Sequence, residues 1–289
     1  MATKKAASKK STTTTPKQTT TKVTTVKAVA AAKTPKKFNR NVFGQGRAPI
    51  LGAFIAEFIG TFILATAAVL TKGEPLYIGF TAVAVVLMVG TLSGAHINPL
   101  VTVGAWATRK ISGVRALGYV AAQILGAMLA LVAMTAFIGA APKADPQQAA
   151  MFTQQSAELF KVNPVDDAKV WYVFFAEMLG AAIFGFAFSS AMRAKRDRTA
   201  HAFGIGFGLF VAVMVASVIA SFASTSGVVN PAIALTVGAI DWSALKLWSV
   251  LIYLVAPIIG GVLGFFLFDI LRGENDGGDD HLLNDTYEK

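Results

Sequence analysis

Two asparagine-proline pairs carry the residues best placed to act on another molecule. Asn98-Pro99 sits in SGAHINPLVTVGA and Asn230-Pro231 in STSGVVNPAIALTVGA. A carboxamide both donates and accepts hydrogen bonds, so the chemistry on offer is hydrogen bonding and not bond making. Asparagine is also a favoured helix cap and proline a favoured first helical residue, so each pair reads as a helix start. Glu57 in AEFIGTFILATAAV and Glu177 in AEMLGAAIFGFAFS stand in apolar runs, where a carboxylate is costly and needs partners. The chain has no cysteine, which excludes thiol catalysis, disulfides and cysteine metal sites. Its three histidines, His96, His201 and His281, are far apart, which argues against a histidine metal centre. No nucleophile-base pair or phosphate loop is evident, so no enzyme activity and no cofactor are expected.

The elements that must position these residues are hydrophobic. Of 289 residues, 54% are hydrophobic and 15% charged, low for a soluble chain of this length. Apolar runs span Ile50 to Leu70, Tyr77 to Leu92, Ala116 to Ala141, Val170 to Met192, Ala202 to Phe222 and Leu245 to Leu271. Each approaches the ~20 residues that cross a bilayer as a helix. The pattern predicts an all-α polytopic membrane protein with six spans. Residues 1–47 hold ten lysines and two arginines and no acid, and predict a disordered basic tail. Residues 273–289 form an acidic tail. The membrane-spanning body is placed at 48–272.

Lysine and arginine set the orientation. With six spans, the basic tail falls on the same side as Arg109, Lys110, Arg115, Arg193, Lys195, Arg196 and Arg198. The other side has Lys72, Lys143, Lys161, Lys169 and Lys246. Both termini are therefore expected in the cytoplasm, with the protein in the cell membrane.

The chain repeats itself. Residues 50–141 and 170–271 share one order: a Glu-bearing helix, a second helix, an asparagine-proline segment, a third helix. Three spans per unit put the two repeats in opposite orientations, an arrangement that places a working site near the midplane. The segments after the two pairs, Pro99 to Thr108 and Pro231 to Ile240, are apolar but rise only ~15 Å, half a hydrocarbon core. They predict two re-entrant half-helices meeting end to end. Irregular backbone at that depth must be buried or line a wet cavity. A third pair, Asn163-Pro164 in KVNPVDD, lacks a following apolar segment and reads as an ordinary turn.

These features together resemble the aquaporin and glycerol-facilitator family, the major intrinsic proteins. The resemblance rests on SGAHINPLVTVG with Asn98-Pro99-Leu100, on Asn230-Pro231-Ala232, on AEFIGTF, on YVAAQILGA with Gln123 and on VAPIIGG with Pro257. It covers roughly residues 50–271. It implies that the amides of Asn98 and Asn230 donate to the permeant at the pore centre, while the two half-helix ends repel cations and protons. It implies that the backbone of Gly94, Ala95, His96 and Ile97, and of Ser226, Val228 and Val229, lines the path. Glu57 and Glu177 would each anchor a re-entrant loop. His96 is open to a structural or a pH-sensitive role.

The resemblance breaks at the constriction. The family's filter arginine, three residues beyond the second asparagine, is Ile233 here. Gap-free counting makes the rest of the filter Ile78, Val218 and Gly227, with Ser217 or Ile219 in place of Val218 if the register slips by one. Leu100 stands where the first motif usually has alanine. A wider, apolar ring would favour larger neutral solutes, whereas a narrow one would dewet and stop flow.

The expectation is a passive channel for water, small neutral solutes or both, assembled as a homotetramer in the lipid bilayer. Two alternatives stay open. One is a glycerol or small-polyol facilitator, although Ala234 stands where that branch usually has aspartate. The other is a non-conducting membrane scaffold. The basic tail is suited to anionic lipid, and less to nucleic acid, since it lacks aromatics before Phe38.

Overall fold

A computed structural model describes residues 50–140, 158–194, 197–240 and 246–272. The tails 1–47 and 273–289, with His281, lie outside the described residues. So do Ala141, Lys143, Lys195, Arg196 and Leu245.

Among the described residues six helices are long and apolar enough to cross a membrane: α1 (Ile50–Leu70), α2 (Pro75–Ser93), α4 (Gly113–Gly139), α5 (Val170–Ala191), α6 (Arg198–Ser221) and α8 (Leu247–Arg272). Two short helices complete the set, α3 (Pro99–Ala107) and α7 (Pro231–Thr236). An even number of crossings puts Ile50 and Arg272 on one face. The α1–α2 turn lies on the other, here called the distal face.

Local sequence explains the boundaries. Pro75 occupies the first turn of α2, where a missing N–H costs nothing. Gly94 ends α2 in the left-handed conformation, φ 91°, with its N–H on Gly90 O. Asp197 caps α6 by accepting from Thr199 N and Ala200 N, both at 3.0 Å. In α8 the turn Leu251–Val255 is π-helical, and Ala256 N bonds Leu251 O, five residues back. Pro257 follows directly, and the wider turn absorbs the ring that a regular helix would clash with.

The two repeats pack alike. α1 lies on α2 and α4, α5 lies on α6 and α8, and α2 meets α6 at the centre. Each half-helix crosses over: α3 packs on α8 and α7 on α4. Close approach depends on glycine at equivalent places. A Cβ on Gly126 would fall 2.3 Å from Phe58 O, and one on Gly260 2.1 Å from Met178 O. Without a hydrophobic drive between helices in lipid, such close van der Waals fits do the holding.

The second half-helix is shorter than the ten residues expected from sequence. It ends at Thr236 because Gly238 turns left-handed, φ 68°, and Ala239 N and Ile240 N both fold back to Ala234 O. His201 lies in the first turn of α6, buried, its Nδ1 2.8 Å from Ala191 O.

Candidate functional site

Both half-helices begin at the predicted asparagines. Asn98 Oδ1 accepts from Leu100 N at 3.0 Å. Asn230 Oδ1 accepts from Ala232 N at 3.0 Å and Ile233 N at 3.4 Å. With each oxygen spent on its own helix, each amide nitrogen points across the junction. Asn98 Nδ2 donates to Val229 O at 2.9 Å, and Asn230 Nδ2 donates to Ile97 O at 3.1 Å. The two repeats are thus tied by a reciprocal pair of bonds at the point where their half-helices meet.

The loops that deliver these asparagines are strained and held. Ile97 and Val229, β-branched residues, sit at φ 44° and 52°, a region such residues avoid. Backbone in that state persists only where surroundings over-determine it. Here the buried glutamates do so. Glu57 accepts from His96 N at 2.9 Å and Ile97 N at 2.6 Å. Glu177 accepts from Val228 N at 2.5 Å and Val229 N at 2.9 Å. Gly60 and Gly180 leave the room: a Cβ there would meet Ile97 Cγ2 at 2.6 Å or Val229 Cγ2 at 3.0 Å.

The first loop has further support. Gln123 Nε2 donates to Glu57 Oε2 at 2.8 Å and to Thr102 Oγ1 at 2.9 Å. Ser93 accepts Ala95 N on its hydroxyl and Tyr119 O–H on its carbonyl. His96 is buried edge-on between Tyr119 and Phe188, with Nδ1 3.2 Å from Thr102 Oγ1.

The sequence-derived ladder of backbone carbonyls is partly engaged already. Ile97 O and Val229 O carry the asparagine lock, and Gly227 O accepts from Ser217 Oγ at 3.3 Å. Leu100, the departure in the first motif, faces α8: its Cδ1, O and Cβ all lie 2.9–3.1 Å from where a Cβ on Gly261 would be.

On the distal side of the lock, one narrow cavity gathers Ile78, Gly227, Val228 and Ile233. Only about 20 Å³ of it is open to the centre of a water molecule, room for about one. Val218 is not there. It is 57% exposed, on an outward stripe with Phe207, Val211 and Met214. Val213 lines the cavity instead, and neither neighbour of Val218 does. The helix explains the error. Gly227 rests on Ala216 and Ser217, and Val213 lies one turn below them on the same face. Val218 is five residues on, about 140° away around the axis.

Two further lining residues carry no signal in the sequence. Phe160 and Val162 reach the cavity from the segment before α5. Asn163, expected in an ordinary turn, leads into no helix but ties that segment down: its Nδ2 donates to Ser224 O at 3.0 Å and its carbonyl accepts from Thr225 Oγ1 at 2.8 Å. Behind the segment a roomier hollow, about 200 Å³ by the same measure, is lined by Asp167, Lys246 and Trp248 among others. Asp269, near the end of α8, is part-exposed and pairs with Lys110 at 2.5 Å.

Six spanning helices and two half-helices meeting at paired asparagines define a helical membrane protein built as an inverted repeat, of the aquaporin type. Residues 44–268 match the family model for the major intrinsic proteins, and the chain belongs to that family. It is 30% identical over 242 residues to aquaporin Z of Bradyrhizobium diazoefficiens, covering 78% of this chain and 95% of the relative. It is 28% identical over 232 residues to glycerol uptake facilitator protein-like 6 of Lactiplantibacillus plantarum, covering 77% and 99%. Its fold matches the X-ray structure of the aquaglyceroporin from Plasmodium falciparum with a TM-score of 0.54 and 18% identity, over 81% of this chain and 99% of that one. The chain is thus a multi-pass membrane protein of a family whose members are channels rather than enzymes.

Proposed function

We propose that this protein is a passive channel through which water or other small neutral solutes follow their gradient across the cell membrane. The observation that carries the reading is the reciprocal asparagine lock. Each amide nitrogen has two hydrogens and spends one on the opposite carbonyl. The second hydrogens of the pair suit a single oxygen acceptor between them. A water held that way turns its own hydrogens outward and breaks the relay that proton hopping needs. The half-helix starts add partial positive charge at the same place, which disfavours cations.

The constriction is Ile78, Val213, Gly227 and Ile233. It has no fixed cation and no side-chain donor, so discrimination rests on width and apolarity. The relatives bear both water-channel and glycerol-facilitator names, and an aliphatic ring without arginine favours larger neutral solutes only where it widens beyond the single-water cavity of this conformation. The lysine and arginine distribution supports cytoplasmic termini. The homotetramer rests on the family resemblance alone, and the basic tail is suited to anionic lipid.

One observation favours a second reading, a channel closed at rest or a non-conducting scaffold. Asn98 is 0% and Asn230 1% exposed, so the centre is sealed in this conformation.

The test is stopped-flow light scattering on proteoliposomes, for water and for glycerol, with the native protein and with Ile233→Arg. Native glycerol flux that falls in the variant supports an open aliphatic constriction. Native fluxes equal to those of empty vesicles for both solutes sink the open-channel reading.

A further inference from the structure

The aliphatic constriction leaves a gap that another part of the chain fills. Residues 158–166 have no regular structure, yet they lie across the distal mouth. Phe160 and Val162 face the same cavity as Ile78, Val213, Gly227 and Ile233. The ring of Phe160 lies against the α1–α2 turn, where Gly73 gives it room: a Cβ there would be 3.2 Å from Phe160 Cε1. Val162 is buried.

This strap is fastened to both flanks of α7. Val162 N donates to Val237 O at 2.9 Å, just past the helix end. Asn163 exchanges two bonds with Ser224 and Thr225, just before the second loop. Lys169 Nζ donates to Phe222 O at 3.2 Å. Thr225 Oγ1 also meets Tyr253 O–H at 3.3 Å, which ties the same point to α8. Bonds at residues 222, 224, 225 and 237 bracket Gly227 and Ile233, so the strap and the constriction form one rigid unit.

We propose that the strap supplies a specificity-determining wall of the constriction, with Phe160 as its aromatic side and Val162 as its floor. The proposal rests on the channel reading above. A rigid aromatic plane gives width control without any polar group. Loss of bulk at Phe160 opens the mouth toward larger solutes, and added bulk narrows it toward water. The effect falls on the ratio between solutes more than on the total flux.

The experiment reconstitutes the full chain in vesicles and measures water, glycerol and erythritol fluxes for native protein, Phe160→Ala, Phe160→Trp, Leu159→Ala and Ile233→Arg. Leu159, the strap residue next to Phe160, packs on the core without lining the cavity, so its variant controls for general loosening of the strap. Phe160→Ala, which removes a whole ring, is expected to raise the glycerol-to-water ratio by at least about tenfold, the low end of what one methylene discriminates in an apolar pocket. Phe160→Trp is expected to lower it, and Leu159→Ala to leave it unchanged. A silent native protein that conducts once Phe160 is alanine also supports the strap, as the wall that shuts the mouth. Unchanged ratios in both Phe160 variants, with a shifted ratio in Ile233→Arg, overturn the strap and leave the channel reading standing. Absence of flux in every form overturns both.

Discussion

Glu57 and Glu177 hold the same place in the two repeats but carry different loads. Glu57 accepts two backbone N–H groups and the amide of Gln123, which also braces Thr102 on α3. Glu177 accepts two backbone N–H groups, and where α4 has Gln123 the matching turn of α8 has Pro257 behind a π-helical stretch. The second loop finds its extra support from outside instead, through the strap and Tyr253. Small and large residues are traded as well. Leu100 of the first motif fits against Gly261, whereas Ala232 of the second sits in a half-helix that packs on α4 around Ala127. One architecture thus tolerates two local solutions, provided each loop keeps its two carboxylate bonds and its asparagine.

This contrast can be broken in order of effect. Glu57→Ala strands three donors and Glu177→Ala two, each costing about 1–3 kcal/mol. Thermal unfolding in detergent is expected to show the Glu57 variant as the less stable by about one donor's worth, and equal losses would erase the asymmetry. Next, Gly261→Ala puts a methyl 2.9 Å from Leu100 Cδ1 and 3.0 Å from Leu100 O. Overpacking of about 1–3 kcal/mol is expected, with partial rescue by Leu100→Ala, because the carbonyl contact stays. Additive losses in that double-mutant cycle would mean that the two residues do not share the strain. Gln123→Leu removes two bonds and is expected to cost about 1–2 kcal/mol and to bring the cost of Glu57→Ala close to that of Glu177→Ala. The smallest effect is expected from Thr236→Val, which loses one bond from Oγ1 to Ala127 O, about 1 kcal/mol, in the same unfolding assay.

Much of this was legible along the chain. Long apolar runs marked the six spans, and Asn98-Pro99 and Asn230-Pro231 marked the half-helix starts, because capping depends on adjacent residues. The partners of Glu57 were anticipated only through the family resemblance, since they lie 39 and 40 residues away. Counting failed where the chain changes direction. Val218 was the natural constriction residue by spacing, yet Gly227 settles on Ala216 and Ser217, and Val213 takes the place. The span of α7 was overestimated because Gly238 offers no warning among apolar neighbours. Phe160 gave no signal, since nothing in KVNPVDD says which loop it will fasten to.

The sequence by itself determined the number of crossings, the inverted repeat and the positions of both helix starts. Those follow from hydrophobicity over about twenty residues and from caps a few residues long, both local quantities. Only the tertiary structure decided which face of α6 meets the cavity, which carbonyl each asparagine amide reaches and which loop lines that cavity from outside the helices. One residue of slip rotates a helix face by about 100°, the asparagine amides reach carbonyls 131 and 133 residues away, and the loop fastens to partners 61 and 62 residues on, so no local rule contains them.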